Sequence, residues 1–389
     1  MAYLSATRLG LAGGTGTLLG IGLARFAYTP LIPALVDAGW FSTHAAAYLG
    51  AINLLGYLVG AAIAHRLTLR FDARRVLGGA LLVTVASFYG CALDWGILWY
   101  GLWRFACGIS GATLVVVGVP AALSRVRPDE RAATGTRIFL GIGLGIAASG
   151  TLVPWLIGVG VAPTWLVMAL LSSVLALWSW LAVWRRLDAI GSGSSHRSSD
   201  TDSIPTVTVS LVIAAYALDA AGFVPHTLFW VDYIARELGH GVTAGSHYWI
   251  VFGLGAICGP FVAGFLARRL GFTTALAIAL GIKALAVVLP VFSNTPMMLF
   301  ISSFVVGLLV PASVTLTSGS VASLVAPYRQ QQWWGWATLA FAILQAIAAY
   351  GMSWWYADIG RYQPLFAVSA SALLLATLLA GIAAARVGR

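Results

Sequence analysis

Long apolar runs separated by short clusters of charged residues make up most of the sequence. The runs are continuous and lack the alternation of a membrane β-strand, which argues against a β-barrel. A helix needs about 20 apolar residues to cross a hydrocarbon core of about 30 Å. The pattern therefore predicts an all-α polytopic membrane protein with twelve transmembrane helices. The predicted spans are 9–36, 44–64, 76–93, 96–123, 134–158, 163–184, 206–231, 247–267, 272–292, 296–324, 333–357 and 363–385.

Two uncharged runs, 138–184 and 284–328, are too long for a single helix. Each contains a turn signal, Gly160 to Pro163 in the first run and Ser293 to Pro296 in the second, because glycine, proline and asparagine favour turns. Each run is therefore predicted to form a hairpin of two spans.

Composition narrows the class of protein further. Charged residues form 9% of the chain and hydrophobic residues 60%, whereas a soluble domain has roughly 25% charged residues. This balance excludes a soluble enzyme, a disordered chain and a nucleic-acid binder. The lipid bilayer is the expected environment, and no nucleic-acid partner is expected. The formal net charge of +10 does not indicate a polyanionic partner, because most arginines fall on one side of the predicted membrane.

Arginine clusters follow the even-numbered spans. They are Arg66, Arg70, Arg74 and Arg75 after span two, Arg125, Arg127 and Arg131 after span four, Arg185 and Arg186 after span six, Arg268 and Arg269 after span eight, and Arg329 after span ten. Arginine and lysine are enriched in the cytoplasmic loops of membrane proteins. The pattern predicts a multi-pass protein of the inner (plasma) membrane with both termini in the cytoplasm.

One polar stretch, 187–205, is rich in glycine, serine and aspartate and is typical of a flexible cytoplasmic linker. It divides the chain into an N-terminal six-helix half, 1–186, and a C-terminal six-helix half, 206–389. Two six-helix halves are the layout of many secondary transporters. A weak internal repeat equates span one with span seven.

Four charged side chains fall well inside predicted spans: Arg25, Arg104, Asp219 and Lys283. A charge within the membrane is costly unless it faces a wet cavity or a partner. The positive surplus predicts a small-molecule ligand of negative charge, and we expect a small organic anion of the carboxylate type, moved with protons, against protons or by exchange. Arg25 could instead belong to an intramembrane ion pair, and Arg104 could extend to the outer interface.

Span seven has a polar and aromatic face. Tyr216, Asp219, Phe223, His226 and Trp230 follow one another in steps of three or four residues, which places them on one side of a helix. A carboxylate inside the membrane is either titratable or paired with a cation. Asp219 is therefore a candidate proton site or the partner of a buried cation. His226 is a second candidate for proton coupling, or else an interfacial hydrogen-bonding residue.

Three short motifs are similar to those of a known family. Arg104 to Ala112 is similar to an R-x-x-x-G-x-x-G element, and Gly264 to Gly271 is similar to a G-x-L-A-D-R-x-G loop in which Arg268 replaces the usual acid. Arg25 to Pro30 reads R-F-A-Y-T-P. With the layout, these motifs resemble the major facilitator superfamily, and the span-one element resembles its YbfB/YjiJ-type branch.

The resemblance implies a major facilitator fold that works by alternating access around a site between the halves. It implies substrate-binding residues on the central spans, proton-coupling residues on span seven and a gating loop after spans two and eight. Because span nine packs outside the cavity in that family, Lys283 is expected to support Asp219 from behind, and direct contact with substrate is the alternative. The predicted site residues are Arg25, Tyr28, Arg104, Tyr216, Phe223 and Trp249 for substrate, Asp219 and His226 for protons, and Arg66, Gly264, Arg268, Arg269 and Gly271 for the gating loop.

Other functions fit the sequence less well. A proton-driven exporter of amphipathic drugs or metabolites is the alternative within transport, with the aromatic residues forming its pocket. A membrane enzyme needs clustered histidines and acids, such as H-E-x-x-H, and the spans contain Asp219 and His226 without a second acid. We expect no catalysis, no cofactor and no metal site, and we expect the protein to act as a monomer.

Overall fold

In a computed structural model, which describes residues 5–127, 130–189 and 206–387, the chain is almost entirely helical. The long helices are numbered in chain order: α1 Ala6–Asp37, α2 Thr43–Arg70, α3 Ala73–Cys91, α4 Ile97–Leu123, α5 Arg131–Ile157, α6 Val161–Ala182, α7 Thr206–Glu237, α8 Gly241–Leu270, α9 Phe272–Phe292, α10 Pro296–Leu324, α11 Pro327–Ile359 and α12 Gln363–Val387. The predicted all-α polytopic fold is confirmed.

Eleven helices in the described part of the chain are long and apolar enough to cross a membrane. The remaining helix, α3, has only 19 residues, and Arg74 and Arg75 near its start lower its mean hydropathy. It still packs against α4 and α6 inside the bundle. The helix therefore takes the place of the predicted third span.

The predicted linker falls mostly outside the described residues, since 190–205 are not among them. Its first residues, Leu187 to Ala189, belong to a short 3-10 helix, Trp184–Ala189. Trp184 and Leu187 are buried, and the short helix packs against α3. The short helix therefore continues past residue 186, because these two apolar side chains bury against the bundle.

The predicted gating loop is mostly helical. Arg66 lies on α2, and Gly264, Arg268 and Arg269 lie on α8, so these helices run beyond the predicted ends of their spans. Charged side chains are tolerated there because they reach past the apolar segment into water. Gly271 forms the turn between α8 and α9 with φ at 78°, a conformation that glycine adopts without steric cost.

The two largest contacts between the first six helices and the last six are α5 against α8 and α2 against α11, and α1 meets α7 in a smaller one. Glycines allow the first pair to approach closely, since a Cβ atom added at Gly253 would lie 2.5 Å from the backbone nitrogen of Ala147. The predicted repeat equates α2 with α8 and α5 with α11. The two largest contacts are therefore equivalent under that repeat.

Several of these contacts lie at one end of the bundle, where α1, α7 and α11 finish, here called the closed end. The rings of His44 and Tyr356 are 6.2 Å apart, and those of Tyr48 and Tyr350 are 6.3 Å apart. Each pair joins α2 to α11. Under the predicted topology the closed end faces the outside of the cell.

A polar network ties the helices together at the closed end. Arg236 on α7 donates a hydrogen bond to Thr43 on α2 and lies 3.4 Å from the fully buried carboxylate of Asp232. Tyr362 donates its hydroxyl to Asp232 and its backbone N–H to Glu237. Burial, and after it the carboxylate of Asp232, raises the pKa of Tyr362 well above its ordinary value. The tyrosine therefore remains a proton donor at physiological pH.

Candidate functional site

Helix α1 is irregular around Arg25, the arginine in the middle of the helix. The segment Leu18–Leu23 is π-helical, and regular α-helix resumes only at Tyr28–Asp37. Wide helical turns of this kind leave backbone groups without their usual partners and are frequent at functional sites. Irregular backbone at membrane depth is tolerated where it lines a cavity or is buried in protein. Arg25 lies in this irregular stretch.

Arg25 presents a guanidinium that the protein leaves unsatisfied. Within residues 5–127, 130–189 and 206–387 the guanidinium forms no ion pair and no hydrogen bond, and its Nη2 is buried without a partner. Its closest aromatic neighbours are the ring centroids of Phe26 at 5.0 Å and Tyr57 at 6.0 Å. A guanidinium has five N–H donors and stays charged. This group is therefore available to bind an anion.

Arg104 on α4 secures the irregular part of α1. Its side chain is only 2% exposed, and its Nη1 donates a hydrogen bond of 2.7 Å to the carbonyl oxygen of Ala24. The guanidinium also lies 4.1 Å from the ring centroid of Tyr28. Its Nε is buried without a partner among the described residues. Arg104 therefore points inward to α1, with donor capacity left over.

A small pocket lies where α1, α2 and α4 face α7. It is lined by Arg25, Gly50, Asn53, Leu54, Arg104, Thr227 and Leu228, and its free volume is about 10 Å³, which is room for about one water molecule. A larger ligand therefore fits only after the surrounding helices move apart. Thr29 on α1 donates a hydrogen bond to the carbonyl oxygen of Thr227 on α7 beside it. Both predicted arginines therefore line one pocket at the junction between the first six helices and the last six.

The predicted aromatic residues of α1 and α8 lie beside this pocket rather than among its lining residues. Tyr28 is buried and donates its hydroxyl to the carbonyl oxygen of Ala46 at 2.8 Å. Trp249 is fully buried and donates its Nε1 to the hydroxyl of Ser149 at 3.0 Å. Its ring centroid is 6.1 Å from that of Phe26. Trp249 thus joins α8 to α5.

The predicted aromatic residues of α7 contact α11. The ring centroid of Tyr216 is 4.5 Å from that of Phe341 and 5.9 Å from that of Trp334. Phe223 lies 6.0 Å from Phe341. These side chains form an aromatic cluster between α7 and α11, and Tyr216 also lies near enough to Arg25 for the two groups to interact electrostatically.

Asp219 and Lys283 form a buried ion pair. Lys283 Nζ lies 2.7 Å from Asp219 Oδ1, and the two side chains are 0% and 1% exposed. The ammonium is also 3.5 Å from Leu309 O and from Ser313 Oγ on α10. It lies 4.5 Å from the ring centroid of Phe223. The pair connects α7 to α9 and α10, behind the face of α7 that lines the pocket.

His226 is fully buried, with Nε2 2.7 Å from the hydroxyl of Ser302 on α10. Ser302 donates its proton to the carbonyl oxygen of Ala286, so Nε2 of the histidine is the donor to Ser302. The imidazole stacks on Trp230 at 4.3 Å and meets Phe366 at 5.2 Å. The ring is therefore packed among the last six helices.

The predicted face of α7 is directed mainly into the last six helices. Asp219 contacts α9 and His226 contacts α10, while Tyr216 contacts α11. The residues of α7 that line the pocket are Thr227 and Leu228. They lie in the π-helical segment Pro225–Phe229, where the wider turn changes which side chains share a face.

Sequence reasoning missed the polar residues that accompany the arginines. Asn53 is 2% exposed and donates its Nδ2 to the carbonyl oxygen of Arg104 at 2.9 Å. Asn53 is the only asparagine within a predicted span, and that signal was sufficient to select it. Thr227 had no comparable signal, because a threonine within a membrane helix commonly bonds to its own backbone.

Long apolar helices that carry buried charges define a polytopic membrane protein. Comparison with known proteins gives the family. Residues 17–381 match the family described as "Uncharacterised MFS-type transporter YbfB", and the chain belongs to this family of the major facilitator superfamily. It is similar to the "Uncharacterized MFS-type transporter YceJ" of Bacillus subtilis (strain 168), with 25% identity over 316 residues, or 75% of this chain and 76% of that protein.

Proposed function

We propose that this transporter moves a small organic anion of the carboxylate type by alternating access, coupled to protons or by exchange. The observation that carries the proposal is the Arg25 guanidinium, which lies at the junction of the two sets of helices without an acceptor in the described part of the chain. A carboxylate matches the planar fork of an arginine by accepting two parallel hydrogen bonds.

The remaining buried charges favour an anion as well. Asp219 is neutralised by Lys283, so its charge does not compensate the arginines of the pocket. In the described residues neither Arg25 nor Arg104 forms an ion pair with a carboxylate. Two uncompensated guanidinium groups in one pocket are best accommodated by an anionic ligand.

Proton coupling is assigned to Asp219. A proton taken up by this carboxylate would remove one charge of the ion pair and release the ammonium of Lys283. That change would alter the contacts of α7 with α9 and α10, and α7 also lines the pocket. His226, bonded to Ser302 on the same side of α7, is a second group in this region that could exchange a proton.

Ligand-induced stabilisation tests the proposed substrate class. Small organic acids and cationic amphipathic drugs are screened by thermal shift on the purified wild type and on Arg25→Ala. We expect an acid to raise the melting temperature of the wild type and not that of the variant, because binding to the native state stabilises it. Stabilisation by a cationic drug that persists in Arg25→Ala would instead favour the exporter of amphipathic compounds.

Lysine substitutions test whether the arginines bind the anion through the paired N–H groups of the guanidinium. Arg25→Lys and Arg104→Lys retain the charge and lose the paired geometry. Losing one hydrogen bond to a charged group costs about 1.5–3 kcal/mol, so we expect roughly a tenfold or greater loss of apparent affinity in each variant. The apparent affinity is measured from the concentration dependence of uptake into proteoliposomes. Arg386→Lys, at the exposed end of α12, is the control, and normal uptake in both pocket variants would reject the assignment.

The proposed membrane orientation places both termini and the linker in the cytoplasm. After replacement of the three native cysteines, Cys91, Cys107 and Cys258, Ser195→Cys should resist an impermeant thiol reagent added to intact cells. His240→Cys, in the exposed connection before α8, should react under the same conditions. The reverse labelling pattern would overturn the orientation.

A further inference from the structure

The pocket also contains neutral hydrogen-bond acceptors. The carbonyl oxygen of Arg104 only accepts hydrogen bonds, so the amide of Asn53 must direct Nδ2 towards it. Oδ1 is consequently the end of the amide directed away from that carbonyl oxygen. Asn53 thus combines a fixed orientation with an acceptor at the wall of the pocket.

Thr227 supplies a second acceptor. Its hydroxyl has a single proton, which goes to the carbonyl oxygen of Phe223 at 3.2 Å or of Val224 at 3.3 Å. The hydroxyl oxygen therefore keeps lone pairs for a ligand. Thr227 lines the same pocket as Asn53 and the two arginines.

The lining residues include no carboxylate. The buried acid on α7, Asp219, is bonded to Lys283 on the far side of that helix. An ammonium group in the pocket would therefore meet two cations and only neutral acceptors, which is a costly arrangement for a buried charge. The single proton of a hydroxyl group, in contrast, is satisfied by one neutral acceptor, and its lone pairs can accept hydrogen bonds from the arginines.

On the basis of the proposed function, we propose that the substrate is a small hydroxycarboxylate and that Asn53 and Thr227 select its hydroxyl group. The arginines donate hydrogen bonds to the carboxylate. The hydroxyl group of the substrate donates its hydrogen bond to Asn53 or Thr227. A carboxylate without the hydroxyl leaves buried acceptors unpaired, and a site of this kind discriminates strongly against such an analogue. A zwitterionic amino acid is rejected because its ammonium lacks an anionic partner.

Matched acids of three chain lengths test the proposal. Glycolate, lactate and malate are compared with acetate, propionate and succinate, and with glycine, alanine and aspartate, by calorimetric titration of the purified protein. We expect the best hydroxy acid to bind the wild type at least roughly tenfold more tightly than its plain and amino counterparts. Asn53→Leu should bring the ratio of hydroxy to plain acid towards one. Asn294→Leu, at the other asparagine of the chain, is the matched control and should retain the wild-type ratio.

Thr227→Val is a second test, which also covers the case in which Asn53→Leu does not fold. It removes the hydroxyl acceptor while conserving shape, and it should lower the same ratio. The proposal that the site selects a hydroxyl group is overturned if the wild type binds hydroxy and plain acids equally, or if the pocket variants that fold keep the wild-type ratio. In either case the proposal of an anion transporter would stand. Binding of none of the acids at any chain length would overturn the anion proposal together with this inference.

Discussion

Asp219→Asn should abolish substrate accumulation driven by a pH gradient while leaving exchange of substrate across the membrane largely intact. Asparagine retains the shape of the side chain but cannot release or take up a proton. The pocket itself does not include Asp219, so binding should persist. Reconstituted transport with and without an imposed pH gradient measures both properties. Asp358→Asn, at the exposed end of α11, is the matched control.

The same substitution should lower stability, because it leaves Lys283 buried without its carboxylate. Breaking a buried ion pair from one side costs about 3–5 kcal/mol, whereas replacing both partners costs far less. We expect Asp219→Asn combined with Lys283→Met to recover the melting temperature of the wild type without recovering accumulation. Recovery of accumulation in the double variant would mean that Asp219 only neutralises Lys283.

Gly253→Val should stop transport almost completely while leaving a folded protein. The added side chain would begin 2.5 Å from the backbone nitrogen of Ala147, so α8 could not approach α5 as it does. Overpacking costs about 1–3 kcal/mol, which shifts a two-state equilibrium by a factor of roughly 5 to 150. Each set of six helices keeps its own packing, so the protein should elute as the wild type does on size exclusion.

The readout is transport together with thiol labelling of Tyr350→Cys at the closed end, which should increase when Gly253→Val is present. Gly135→Val is the control, because a side chain at Gly135 on α5 would meet open space. If Gly253→Val transports at the rate of the wild type, the contact between α5 and α8 does not have to form and separate in the cycle.

The helices could be predicted because the charges delimit the apolar runs directly. Helix α2 begins at Thr43, one residue before the start predicted from hydropathy. The extension of α2 and α8 beyond their predicted spans could not be read in this way. Hydropathy reports the apolar thickness of the membrane, whereas these helices continue into water with arginines on their last turns.

The candidate site was predicted only in part. Arg25 and Arg104 were found because charge inside a span is rare and costly. Asp219 was selected in the same way, and its expected partner Lys283 lies beside it. The pocket residues of α7 were not predicted, since a regular helical period was applied to a helix that contains the π-helical segment Pro225–Phe229. The pocket residue Thr227 lies within that segment. The hydropathy pattern does not report such wide turns, although this segment begins at Pro225, which lacks the backbone N–H of a regular helix.

Lys283 is the only lysine of the sequence, and its side chain is completely buried. An amine-reactive reagent should therefore find no reactive side chain on the folded protein. Modification at residue 283, detected by mass spectrometry of proteolytic fragments, would occur only when α7 separates from α9 or the bundle unfolds. The chain thus carries a built-in chemical reporter of any separation between α7 and α9, and it needs no engineered label.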